Sequence, residues 1–173
     1  TTEIYTLSLH DALPIFDKHE DSSYKMIILK SLVYPGASLF GRMIESISFG
    51  QASKKFIQEH NKDISVIYAN TWPLFAQYAV TRECKKLNIP LILHVQDIYP
   101  ETLTDRLGLI GPIIRALLMP IEKYVMNNAT AIVPIGNKMA EYLATSRGID
   151  KNKIRVVYNW QDESRFKEPE HMH

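Results

Sequence analysis

The chain lacks most of the features that tie a protein to a special environment. It has one cysteine, Cys84, in 173 residues, so it has no internal disulfide and suits a reducing compartment. Cys84 falls within a helical pattern and reads as a small core residue rather than a nucleophile. No long apolar run is present. The most apolar stretch, 107–126, is interrupted by Pro112, Arg115, Pro120, Glu122 and Lys123, which a membrane-spanning helix would not carry casually. Neither charge dominates: 20 basic and 19 acidic residues give a net charge of +1. That is far from the basic stripe of a nucleic-acid binder, and no nucleic-acid partner is expected. Internal repeats and low-complexity tracts are absent. So is a glycine-rich phosphate-binding turn after the first strand. What is there, 46% hydrophobic and 23% charged, is the composition of an ordinary globular fold, long enough for one domain with a real core.

Residues 1–15, TTEIYTLSLHDALPI, resemble the translation of a sequencing-library adapter. They are expected to be non-native and are set aside from the fold, the biological chain then beginning near Phe16. As a signal peptide the stretch also fails on physics: it has no basic leading region and carries His10 and Asp11 within its apolar part. Setting it aside removes two of the 19 acidic side chains and none of the 20 basic ones, leaving +3.

From Phe16 the chain opens on a polar loop, and Tyr24 to Tyr34 is β-prone. Pro35-Gly36 breaks it. Helical spacing runs from Arg42 to about His60, with Met43, Ile44, Ile47, Phe56 and Ile57 on one side and Gly50 as a weak point. Ile64 to Ala69 is a short buried strand, ending in Asn70-Thr71-Trp72-Pro73. A helix to Leu87 follows, striped by Ala76, Val80, Cys84 and Leu87. After the next strand, a turn-rich link from Asp105 leads to Pro112. That proline opens a helix with Ile114, Leu117, Leu118, Ile121 and Val125 on one face and a kink at Pro120. Thr130 to Ile135 is a further strand. The helix after Gly136-Asn137 aligns Met139, Tyr142, Leu143 and Ser146, and Gly148 ends it. Lys153 to Tyr158 is the last strand. Strands alternating with helices at this spacing predict an α/β fold, a Rossmann-like parallel sheet flanked by helices.

The stretch that concentrates chemistry is Pro90 to Glu101, PLILHVQDIYPE. Leu91-Ile92-Leu93 is too short for a helix and reads as a strand buried on both faces. His94, Gln96, Asp97, Tyr99 and Glu101 then follow in quick succession. In open α/β sheets ligands sit beyond the carboxyl ends of the strands, so this cluster is a site candidate. Equally, Asp97 and Pro100 suit the turn that starts the next helix.

Four stretches in order carry a family resemblance: ISVIYANTWP, IPLILHVQDIYPE, MPIEKYVMNNATAIVPIGNKMAEYL and KIRVVYNWQDESRF. From Tyr24 to Phe166 the chain resembles the N-terminal domain of a family 4 glycosyltransferase of the GT-B fold. The similarity points to bacterial enzymes of exopolysaccharide, colanic-acid or O-antigen synthesis. Departures are Ala129-Thr130, where the family has Ala-Asp, and Trp160, where its linker has glycine after the asparagine. The resemblance divides the chain into residues 16–162, an acceptor-side domain, and residues 163–173, the start of an interdomain linker. The donor-binding half is expected to be absent, leaving a fragment inactive alone.

The function so implied is retaining transfer from a nucleotide-sugar donor to a sugar or lipid-linked acceptor, with no metal or other cofactor. It implies a cytoplasmic protein, with peripheral association at the inner face of the plasma membrane as a further expectation. Asp97 is the expected catalytic carboxylate, with Glu101 as helper. A carboxylate there would stabilise positive charge on the sugar ring or orient the acceptor hydroxyl. Asn70, Thr71, Trp72, Gln96 and Tyr99 are expected on the acceptor wall, and Asn159 and Asp162 at the hinge of the cleft. Each has a plainer reading. Glu101 suits the first turn of a helix for dipole reasons, His94 suits a hydrogen-bonded core position, and Trp72 suits packing under the next helix. Arg42 reads as a surface arginine or a phosphate contact, and the apolar helix from Ile113 to Val125 as a core element or a membrane-resting one. A stand-alone Rossmann-like domain that binds a ligand or partner without catalysis is the alternative function.

Overall fold

A computed structural model of the chain describes residues 4–8, 24–34, 38–70 and 73–159. Its centre is a parallel sheet of three strands, β3 (Ile67–Asn70), β4 (Leu91–Val95) and β5 (Ala131–Pro134), with β4 in the middle. Ile67 pairs with Leu91 and Ile92 with Ala131. Between these strands run α2 (Leu74–Leu87) and α4 (Gly111–Asn128). The short α3 (Glu101–Thr104) lies ahead of α4, and α5 (Asn137–Arg147) follows β5. Parallel neighbours cannot be joined by a tight turn, so each needs a helical crossover, and the alternation visible in the sequence becomes this α/β layering.

Leu91, Leu93 and Val95 of β4 are fully buried. Ile92 and His94, on the opposite face, are half-buried, so only one face of this strand is sealed, not the two expected. The core gathers Ile57, Leu74, Cys84, Val125, Met126, Ile132 and Leu143 around that face. Cys84 is buried, as its pattern predicts, and burial pushes its thiol up to about 12.

The expected last strand is reduced to a parallel bridge from Ile154 to Ile132. Arg155 N–H donates to Ile132 and Val157 N–H to Pro134, at 2.9 and 3.1 Å, so the segment still lies along the free side of β5. A separate parallel pair joins β1 (Ile4–Ser8) to β2 (Tyr24–Ile28). β1 lies within the stretch set aside as foreign, and so a strand forms where none was expected. Among the described residues β3 has no strand partner on its outer side.

The first long helix, α1 (Leu39–Glu59), packs on α2 in a way its apolar residues do not foretell. Ile47 is exposed, and the buried positions are largely small or polar: Ser46, Gly50 and Ser53 beside Phe56 and Ile57. Small residues let the two backbones approach closely, and Ser46 Oγ accepts the Ala76 N–H at 3.1 Å. Gly50, a weak point by propensity, is the point of closest approach. A Cβ there would lie 2.7 Å from Ala76 Cα. Alanine gains about 1 kcal/mol of helix propensity over glycine, whereas overpacking against backbone costs about 1–3 kcal/mol. Gly50→Ala is therefore expected to lower stability by about 1 kcal/mol in chemical denaturation. A more stable variant would contradict this packing.

Candidate functional site

Register brings the polar ends of the strands together. Asn70 pairs with His94 across β3 and β4, and Val95 with Pro134 across β4 and β5. Asn70, Gln96 and Asp97 therefore emerge at one carboxyl edge of the sheet. Gly136 emerges there after β5, and Asn159 after the segment bonded to it. Asn70, Gln96, Asp97 and Asn159 are all exposed. Asp97 makes no hydrogen bond or ion pair among the described residues, so its carboxylate is available to a ligand. His94 stays within β4, its ring tilted against Tyr68 at 5.7 Å. Thr71, Trp72 and Asp162 lie outside the described residues.

Beyond Asp97 the chain turns sharply through a cis Tyr99–Pro100 peptide into α3. Tyr99 is half-buried, and desolvation pushes its phenol up to about 12. It lines a cavity of about 270 Å³ with Leu39, Met43, Phe75, Leu103 and Leu118. Those residues come from α1, α2, α3 and α4, so the cavity sits where these elements meet the β4 turn. Arg42 also borders it, but its guanidinium is paired with Glu45 at 2.9 Å.

Glu101 is held in a different way. Its carboxylate takes a two-pronged bond from Arg147, at 2.8 and 2.6 Å, and a third bond from the Tyr142 hydroxyl at 2.9 Å. Arg147 closes α5 and has no exposed side-chain surface. It also donates to the Tyr99 carbonyl at 2.9 Å and to Glu122 of α4 at 2.5 Å. One guanidinium thus ties the β4 turn, α3, α4 and α5 together. Sequence reasoning passes over Arg147 and Glu122. A basic residue in the last turn before Gly148 reads as a partner of the helix dipole, and Glu122 reads as an exposed interruption of an apolar stretch. The signal available was the pairing of that last-turn arginine with a carboxylate in an otherwise apolar helix.

The two carboxylates around Arg147 titrate in opposite directions. Burial disfavours ionised Glu101, but the Arg147 and Tyr142 bonds outweigh it and hold its pKa below the usual 4.5. Glu122 is more deeply enclosed. Burial outweighs the opposing hydrogen bond and charge of Arg147, and the Glu122 pKa is raised to about 7. Its Oε1 has no hydrogen-bond partner among the described residues.

The class this architecture defines is a Rossmann-like half-domain, with a polar edge at the strand ends and an apolar cavity beyond the β4 turn. More particularly, the chain belongs to glycosyltransferase family 4, whose family model matches residues 6–165. The sheet and its helices are those of the N-terminal half of a GT-B fold. No curated protein matches the chain. Among the described residues no cluster of three or more His, Cys, Asp or Glu side chains could hold a metal ion.

These shifts make stability depend on pH with a definite sign. Glu122, raised in the folded state, favours folding fully below about 4.5, and that contribution is lost as pH rises through about 7. Glu101, lowered, favours folding above the ordinary carboxylate pKa of 4.5 and loses that contribution as pH falls. Stability should therefore peak in the mildly acidic range. Glu122→Gln should flatten the fall between about pH 5 and pH 8 and be the more stable form at pH 8. Denaturant titrations across that range check this, and an unchanged slope would refute the assignment to Glu122.

Proposed function

We propose that this chain is the acceptor-binding half of a retaining hexosyltransferase that takes its sugar from a nucleotide-sugar donor. The acceptor would be a growing glycan of the exopolysaccharide or O-antigen type, carried on a lipid or on the polysaccharide itself. The supporting observation is the free carboxylate of Asp97 at the carboxyl edge of the sheet, flanked by Asn70 and Gln96 and followed by the Tyr99 cavity. Family membership supplies the reaction class. The four motifs resembling bacterial polysaccharide enzymes support the acceptor class.

In this reading Asn70 and Gln96 hydrogen-bond the acceptor sugar, and the cavity beside Tyr99 receives an apolar part of the acceptor. Asp97 accepts a hydrogen bond from the attacking hydroxyl, which orients its oxygen toward the anomeric carbon. The same negative charge offsets the positive charge that grows on the sugar ring as the bond to the nucleotide breaks. Glu101 is the helper expected from the sequence, and it acts through Arg147. With its oxygens bonded to that guanidinium, it fixes the turn that carries Asp97 and Tyr99. Asn159, exposed after the segment bonded to β5, would serve the hinge side of the cleft together with Asp162, which is outside the described residues. A donor-binding half, working with this domain, would complete the cleft. The enzyme would act in the cytoplasm at the inner face of the plasma membrane.

The test is transfer by a chain in which this domain is joined to its donor-binding half. Asp97→Asn should lower kcat by at least about a hundredfold, within the usual span of acid–base contributions, with no loss of thermal stability. Transfer within a few-fold of the parent would remove Asp97 from the chemistry. Absence of transfer to any glycan acceptor, with a ligand still bound at the strand ends, would favour a binding domain without catalysis.

A further inference from the structure

Helix α4 presents an outer face that no described residue covers. Ile113 and Leu117, one turn apart, are 64% and 69% exposed. Ala116 and Pro120 complete that face and are exposed too. The 3-10 turn Gly108–Ile110 that leads into the helix adds Leu109 at 98% exposure and Ile110 at 54%. Leu117 was expected to face the core, yet Ile114, Leu118 and Val125 point inward without it. The result is a protruding apolar ridge about three turns long, larger than the single exposed leucines that need no explanation.

The exposed charges around this ridge are mainly basic, and the exposed carboxylate at its start, Asp105, is paired with Arg115. Between residues 106 and 128 the only acidic side chain is Glu122, which is buried against Arg147. Arg106 precedes the ridge and Lys123 follows it; both are exposed, and neither side chain has an ion-pair partner among the described residues. No described helix is long and apolar enough to cross a membrane. A short apolar ridge with cations at both ends is the arrangement by which a helix lies in a bilayer interface, its apolar side among the acyl chains and its basic residues at the phosphates. A convex ridge with a nearly fully exposed leucine at its tip suits a fluid surface better than a flat protein partner.

We propose that Leu109, Ile110, Ile113 and Leu117, with Arg106 and Lys123, form a docking face for an anionic lipid bilayer. The face lies on the outer side of α4. It rests on the exposed ridge and its charges alone, and stands whether or not the chain transfers sugar.

The experiment is co-sedimentation of the 173-residue chain with phosphatidylcholine vesicles, with and without phosphatidylglycerol. Binding is expected on the anionic vesicles and should weaken with added salt. Replacing Leu109, Ile113 and Leu117 together by serine should weaken it at least about tenfold. Arg106→Gln and Lys123→Gln should each cost about fivefold and reduce the salt dependence. Val66→Ser, at an exposed apolar position ahead of β3, should leave binding unchanged. If the triple variant fails to fold, as judged by its thermal melt, Leu109→Ser alone carries the same expectation at smaller size. Indifference of the parent chain to both vesicles, or unchanged binding by a folded ridge variant, overturns the proposal. So does a dimer in sedimentation velocity that the ridge substitutions turn into monomer, because a second copy would then be the occupant.

Discussion

A guanidinium with no exposed side-chain surface must find all of its partners inside the protein, and Arg147 is where this fold meets that demand. An isolated buried charge is very costly, and removing one member of a buried pair typically costs about 3–5 kcal/mol. The partners of Arg147 are therefore not free to drift. Besides the neighbouring Ser146 hydroxyl they are Glu101, Glu122 and the Tyr99 carbonyl, and these three fix where the chain goes after β4. The position of Asp97, four residues before Glu101, depends on that turn. The ionic cluster is unequal by design of its surroundings: Glu101 is ionised and bonded on both oxygens, while Glu122 is poised near neutrality with one oxygen unpartnered among the described residues.

This constraint separates two carboxylates that look alike in sequence. Asp97 and Glu101 belong to one short motif, and either is an acceptable acid, base or electrostatic partner on residue type alone. In the fold one is exposed and has no partner among the described residues, and the other is held by three bonds from Arg147 and Tyr142. Three of the roughly four acceptor positions of Glu101 are taken by Arg147 and Tyr142, which leaves it far less available to a substrate than Asp97. The same logic bears on Arg42. Its bond to Glu45 leaves less of it for a phosphate than its residue type suggests.

Much of the fold was legible because periodicity records burial. The alternation of strands and helices, the central strand at Leu91–Val95 and the end of α5 at Gly148, with its positive φ of 67°, all followed from spacing and turn chemistry. Other features were not legible, for physical reasons. Apart from Phe56 and Ile57, the buried side of α1 is made largely of small or polar residues such as Ser46, Gly50 and Ser53, and hydrophobic spacing is blind to an interface built on small residues. Leu117 fits an inward stripe as well as an outward one until α4 is placed against α2. Lys153 to Tyr158 has strand composition, but it makes only an edge bridge to β5. The Glu101–Arg147 contact spans 46 residues, and one sequence does not reveal such a pairing. For the site, the strand-end residues Asn70, Gln96 and Asp97 were legible from position, and the clamp that holds them was not.

The central claim is that Glu101 serves the site through Arg147 rather than by touching substrate. The most direct measurement is a double-mutant cycle on Glu101→Gln and Arg147→Met in the chain joined to its donor-binding half, read as the rate of sugar transfer at a temperature where all four forms are folded. If the two residues act as one unit, Glu101→Gln should cost little further activity once Arg147 has been replaced, because the non-additivity of coupled residues then absorbs its effect. If the two losses multiply independently, Glu101 has a role of its own at the reacting centre, and the account given for it is wrong.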